Sequence, residues 1–421
     1  MFPATLLTTL LLALSVTANP IVQVRNSRIT LPLSRRVNTT SVHNLLQHDL
    51  NRVKALKARA KAIQGGELTF DEAAIINEPV DNQAVTYIAS VGVGSPATAY
   101  QLIVDTGRHE HFSPDMNSNT WVGSGRSYVR TSTSQQTSNR VSVSYGSGSF
   151  SGNEFTDTVT LGSLVIPRQS IGVATTSTGF DGTDGILGIG PVDLTQGTLS
   201  PATNSLIPTV TDNLFNNGQI NANEIGISFE PTNTVEILNG ELTWGGTDSS
   251  KLTGSITFSP RTRTSPASLF WGIDQSVRYG STSILGTTAG IVDTGTTLVL
   301  LASDALARYR QATGAVMDNT TGLLRITQTQ FANLQSLFFT TGGATYELTA
   351  NAQIWPRALN TAIGGNSNSV YLIVGDIGTP SGEGFDFVNG YAFLERFYSV
   401  YNSANGAVGF ATTPFTRATT N

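Results

Sequence analysis

From Thr86 onward the chain runs in short stretches that alternate apolar and polar residues: TYIASVGVG, NRVSVSYGSGSF, DTVTLGSLVI, GELTWGG and SVYLIVGD. Glycine, serine and other turn residues close most of them. A period of two places successive side chains on opposite faces, and the runs are rich in Val, Thr, Ser and Tyr, so they predict strands. Helical spacing is scarce. Ser303 can open a helix to Ala312 through Leu306, Tyr309 and Arg310, and the apolar and aromatic stretch Asn389 to Tyr398 predicts another short one. The pattern therefore predicts an all-β protein, mainly β with a few short helices, and about 340 residues of it call for two lobes.

The front of the chain reads differently. The apolar run LLTTLLLALSVT, followed by the small-residue pattern Val16-Thr17-Ala18, predicts a signal peptide over 1–18, too short to serve as a membrane anchor. No later run approaches it, and the TRATTN end is polar, so the product is expected to be exported, with the cell exterior favoured over an acidic vacuole. Between Asn19 and Ile75 nine Lys and Arg face four Asp and Glu, whereas from Asn77 onward 15 basic residues face 25 acidic ones. A basic leader ahead of an acidic body predicts a propeptide over 19–80 that docks electrostatically. Ser41 can cap a helix carrying Val42, Leu45, Leu46, Val53 and Leu56 on roughly one face. Arg52, Lys54, Lys57, Arg59 and Lys61 lie nearby, which suits a segment that covers an acidic cleft.

The body repeats one phrase. IVDTG occurs at Ile103 to Gly107 and again at Ile291 to Gly295, placing Asp105 and Asp293 in matching contexts. A buried strand ending in Asp-Thr-Gly costs stability unless the carboxylate finds donors. Two such carboxylates in contact cannot both ionise, so the pair holds one proton and can activate a water. Each copy is followed by an apolar-apolar-Gly segment, Ile186-Leu187-Gly188 and Ile373-Val374-Gly375, at similar separations. Duplicated lobes over 81–262 and 263–421, crossing near SPRTRTSPAS, would bring the aspartates together at their seam, where ligand clefts commonly form. Other hydrolytic chemistries lack partners. There is no cysteine, and of the four histidines none follows His111, so Ser-His, Cys-His and His-zinc mechanisms are excluded from the main body. His109-Glu110-His111 lacks the one-turn spacing of a metal pair and reads as a solvated loop. At 13% charged residues, the chain keeps self-repulsion small in acid.

The two Asp-Thr-Gly turns join Tyr145-Gly146-Ser147-Gly148, Asp184-Gly185-Ile186-Leu187-Gly188, and Trp121 after Asn119-Thr120. With these motifs in this order, the chain from about Val85 to Thr413 resembles the pepsin-like aspartic endopeptidases, most of all the cysteine-free polyporopepsin type of wood-rotting basidiomycete fungi. The resemblance implies a bilobal pepsin-like fold with its active-site cleft between duplicated lobes, no cofactor and no metal. It implies Asp105 and Asp293 as the catalytic dyad, supported by Thr106, Gly107, Thr294, Gly295 and the Thr296 hydroxyl, with the two Thr-Gly threonines reaching across the seam. Tyr145 to Gly148 would form a flap over substrate, with Trp121 behind the tyrosine. The expected partners are protein and peptide substrates and the chain's own propeptide, with no nucleic acid or membrane, and the expected state is a monomer. Phe150, Phe180, Phe270 and Trp271 are candidate apolar walls, which would favour bulky apolar side chains at the cut with broad specificity. Asn319-Thr320-Thr321 is a glycosylation sequon in the body and Asn38-Thr39-Thr40 one in the leader.

One place departs from the pattern. Where the family would have one serine after the first Asp-Thr-Gly, this chain has ten residues, Arg108 to Asn117, before Ser118-Asn119-Thr120-Trp121 resumes it. Three accounts fit: a misplaced intron boundary in the translated gene, a real loop that bulges outward from a working protease, or an impaired homologue that binds peptides or proteins without cutting them. A guanidinium at Arg108 would also bias the proton held by the dyad.

Overall fold

The computed structural model describes residues 29–37, 45–65, 85–107, 112–113, 126–145, 148–178 and 182–421. The signal peptide, Trp121, Gly146, Ser147, Phe180 and the sequon at Asn38 lie outside them, as does all of 108–117 except Phe112–Ser113, a two-residue strand parallel to Gly172–Val173. Among the described residues the chain is mostly β, built on a 14-stranded sheet, a seven-stranded sheet and a three-stranded one.

The large sheet carries the first repeat. Strand Thr98–Asp105 pairs antiparallel with Val85–Val93 and parallel with Gly185–Gly188, with Asp105 opposite Gly188. The same sheet continues through Glu236–Trp244 and Glu224–Ser228 to Phe397–Asn402, Ala407–Thr412 and Thr257–Pro260, so both halves of the body contribute to it. After Pro260 the chain moves into the seven-stranded sheet. There Thr282–Val292 ends just before Asp293, paired antiparallel with Gly272–Tyr279 and parallel with Phe387–Asn389.

That last pairing corrects the alignment of the repeats. The parallel partner of the Asp293 strand is Val388-Asn389, followed by Gly390, and not Ile373-Val374-Gly375, whose strand Val374–Asp376 pairs with Val299–Leu301 instead. Asn389, opposite Val292, stands where the first lobe has Leu187 opposite Val104, and its amide exchanges hydrogen bonds with the buried Gln275. A polar residue in an apolar-apolar-Gly slot hid the equivalence, because its amide is satisfied only by a residue 114 positions away.

The helix expected from Asn389 to Tyr398 is reduced to Tyr391–Leu394, flanked by the strands Phe387–Asn389 and Phe397–Asn402. Those ends are drawn into the two sheets, and tertiary pairing overrides the local aromatic pattern. Ser303–Thr313 is helical, closed by the left-handed Gly314, but its N-cap is Ala302 and Ser303 is spent on Asp376. Two further helices, Val210–Asn216 and Gln328–Ala332, both begin with capping boxes, Thr209 with Asp212 and Thr327 with Gln330.

The leader contributes two elements. Strand Ile29–Val37 inserts in the large sheet between Val85–Val93 and Glu236–Trp244. Helix Leu45–Ile63 lies between the two halves, against strand Gln135–Tyr145 on one side and Val374–Asp376 on the other. Leu45, Asp49, Arg52 and Leu56 share one stripe by their spacing, and all four are buried.

Candidate active site

Each Asp-Thr-Gly segment turns away from a buried strand end, and the two turns tie to each other through their threonines. Thr106 N donates to Thr294 Oγ1 at 2.9 Å and Thr294 N to Thr106 Oγ1 at 2.8 Å. Each hydroxyl then donates to the opposite strand, Thr294 Oγ1 to the Val104 carbonyl at 3.0 Å and Thr106 Oγ1 to that of Val292 at 3.4 Å. This reciprocal set satisfies both amides and both hydroxyls without water, and it fixes the level of one aspartate against the other. Asp105 and Asp293 are both fully buried. Within each turn the glycine amide donates to the aspartate Oδ1, Gly107 N at 2.9 Å and Gly295 N at 3.2 Å. Glycine is required there by close approach: a Cβ on Gly107 would stand 2.7 Å from Asp293 Oδ1, and one on Gly295 only 2.2 Å from the Arg52 guanidinium.

The Arg52 guanidinium of the leader helix sits between the two carboxylates. Nε donates to Asp293 Oδ2 at 2.6 Å, Nη1 to Asp105 Oδ2 at 3.0 Å, and Nη2 to Oδ1 of both at 2.6 Å. One planar fork therefore engages all four carboxylate oxygens. Burial works to raise the Asp293 carboxyl, but the charge and hydrogen bonds of Arg52, with the Thr296 hydroxyl at 2.5 Å and the Gly295 amide, hold it below the usual carboxylate value. One turn earlier Asp49 accepts from the amides of Thr297 and Leu298 at 3.0 and 2.8 Å. Burial pushes its carboxyl up to about 7, only partly opposed by those amides and Arg52.

Of the residues singled out from the sequence, Asp105, Thr106, Gly107, Asp293, Thr294, Gly295 and Thr296 meet at this seam. Tyr145 ends a strand whose hairpin partner begins at Gly148; its side chain, like Gly146 and Ser147 between them, lies outside the described residues. Asn319 is exposed in a turn far along the second half. Three of the proposed walls are buried with the leader in place. Phe150 packs with Ile103, Val141 and Ile186, Phe270 stands edge-on to Phe385 at 5.8 Å, and the Trp271 indole donates to the Ile189 carbonyl at 3.0 Å. An aromatic residue near a predicted cleft carries no sign of which side of the sheet it takes. Arg52 was one cation among five; the signal that separates it is its place within the apolar stripe of the helix, where a charge needs a buried partner. No group of His, Cys, Asp and Glu among the described residues could hold a metal ion.

The profile of the eukaryotic aspartyl protease family matches residues 86–413. The chain is 68% identical to polyporopepsin of Irpex lacteus over 344 residues, 82% of this chain and 98% of the relative. It is 30% identical to rhizopuspepsin-1 of Rhizopus niveus, over 93% of each. The crystal structure of the aspartic proteinase from Irpex lacteus superposes with a TM-score of 0.76 at 67% identity, covering 80% of this chain and 96% of that one. With the family profile spanning the two tied Asp-Thr-Gly turns, the chain belongs to the pepsin-like eukaryotic aspartyl proteases and is an aspartic-type endopeptidase.

Proposed function

We propose that this endopeptidase is made as a secreted zymogen in which Asp105 and Asp293 are the catalytic pair and Arg52 keeps them occupied. The observation that carries the reading is the single guanidinium hydrogen-bonded to all four carboxylate oxygens. Once the leader leaves, two close carboxylates without a cation cannot both remain ionised and share one proton. The ionised member then takes a proton from a water between them, which attacks the peptide carbonyl, while the shared proton goes to the carbonyl oxygen. Collapse of the tetrahedral species returns a proton to the leaving nitrogen, with no covalent intermediate. The threonine ties keep the pair at fixed height, and the flap through Tyr145 to Gly148 closes over the substrate and excludes water. The lobes are taken as 81–262 and 263–421, the propeptide as 19–80, and the product as an extracellular monomer with a preference for bulky apolar side chains at the cut. Asn319 is an exposed glycan acceptor.

Changing Asp293→Asn is expected to abolish proteolysis and leave the circular dichroism and thermal unfolding of a folded protein; persistent cleavage would refute the dyad. Acidifying the purified precursor is expected to release the leader without help. Maturation only after adding another protease would refute self-activation. The alternative of a homologue that binds peptides without cutting them gains nothing from the dyad, whose turns keep matching glycine-to-aspartate hydrogen bonds.

A further inference from the structure

Beyond the dyad, the leader helix places two more cations in the cleft, and the body meets both with polar groups unrelated to catalysis. Lys57 Nζ donates to Thr379 Oγ1 at 2.9 Å and stands 5.6 Å from the centre of the Phe385 ring. Its ammonium is pulled down by burial, and the carboxylates that oppose this pull are Glu383 and Asp386. Across the cleft Arg59 Nη2 donates to the carbonyls of Leu194 at 2.9 Å and Gln196 at 2.5 Å, at the turn Val192–Thr195. One end of the cleft is thus bounded by carboxylates and a ring face on one rim and by two carbonyl acceptors on the other.

We propose that this end of the cleft is a substrate subsite that selects a basic side chain, arginine before lysine, about two residues from the scissile bond. The groups remain on the body when the leader departs. Asp386 is fixed by the Thr288 hydroxyl and the amides of Gly382 and Glu383, so its carboxyl group stays in position whether or not a cation is bound. Glu383 is exposed and free to meet a side chain from solvent. Five residues separate Arg52 from Lys57, about 7.5 Å along a helix axis, close to the length of two residues of extended substrate. Arginine is favoured because its guanidinium is less strongly hydrated than an ammonium, stacks on the Phe385 face and presents more donors to the rim.

This inference rests on the catalytic reading above, and the test separates the two. The full chain, activated in acid, is assayed at about pH 5.5 with quenched-fluorescent octapeptides sharing one apolar pair at the cut. Arg, Lys, Gln or Glu is placed at the second or third residue on either side. The expected result is a preference on one side in the order Arg, Lys, Gln, Glu. Arg over Gln should be about three- to tenfold in kcat/KM, carried by KM, as for partly exposed ion pairs with a ring contact. Glu383→Gln should bring that ratio towards one, and Thr379→Ala should lower it by less. Equal rates for Arg and Gln at every position, or a ratio unchanged by Glu383→Gln, would overturn the subsite. Failure to cut any peptide, the Gln set included, would instead overturn the catalytic reading.

Discussion

The leader strand Ile29–Val37 and the leader helix Leu45–Ile63 belong to one stretch of chain, yet they hold the body by different physics. The strand is held mainly by backbone pairing to both neighbours, from Ile29 opposite Trp244 to Val37 opposite Val85, with Leu31, Leu33 and Val37 buried. Its one deep charge, Arg35, donates to Glu395 at 2.8 Å, and Glu395 also accepts from Tyr87. The helix satisfies its own backbone and engages the body through side chains, chief among them Asp49, Arg52, Lys57 and Arg59. A backbone ladder tolerates changes of sequence and of pH, whereas a side-chain plug made of buried ions responds to both.

The sharpest way to break that contrast is Arg52→Ala. It leaves Asp49, Asp105 and Asp293 buried together without their cation, a loss of about 3–5 kcal/mol for a broken buried pair. The strand should stay paired while the plug fails. The unprocessed precursor, assayed on a peptide near neutral pH, is expected to lose its latency by at least a hundredfold, and Arg52→Lys should restore only part of it because a point charge cannot fork across four oxygens. Unchanged latency would show that the ladder alone closes the cleft.

Arg35→Ala attacks the strand in the same manner with a smaller effect. Glu395 is left buried, but burial already raises its carboxyl and Tyr87 still donates to it, so a loss of about 2–3 kcal/mol is expected. Thermal unfolding of the precursor should fall by several degrees. If the proposed propeptide over 19–80 is removed on maturation, the protein obtained from either precursor should be the same.

The smallest change concerns pH. Asp49 is raised to about 7 when docked from an ordinary 3.8, so docking takes up a proton between those values, and its cost grows as pH rises through that window and levels off above about 7. Asp293 has the opposite sign: its docked value is depressed, so the stability it lends is present above the ordinary carboxylate value and is lost as pH falls below about 4. Latency should therefore be greatest between these limits, and acid release runs through Asp293 while Asp49 opposes it. For the wild type, cleavage of the leader by an added protease should be several-fold faster at pH 8 than at pH 6. Asp49→Asn, neutral at both, should flatten that difference.

Much of the site was legible because IVDTG is a local phrase: an apolar strand, an acid and a glycine turn, stated twice. The leader helix and its coverage of the cleft were legible from apolar spacing and charge balance. Ile373-Val374-Gly375 reads as the match of Ile186-Leu187-Gly188 because it fits the local pattern better than Val388-Asn389-Gly390, and which segment pairs with the Asp293 strand is decided by strands far away in sequence. Phe385 and Thr379, which face the leader, carried no signal at all.

By itself the sequence determined the β class, the duplicated acid turns, the absence of histidine and cysteine chemistry in the main body, and a basic leader before an acidic body. These are properties of composition and short-range pattern, and they survive without coordinates. Only the tertiary structure decided which of five leader cations meets the aspartates, that Asn389 fills an apolar slot, and which loops bound the end of the cleft. Each of those depends on groups separated by tens to hundreds of residues, whose pairing is settled by burial and by the demand that every buried polar group find its partner.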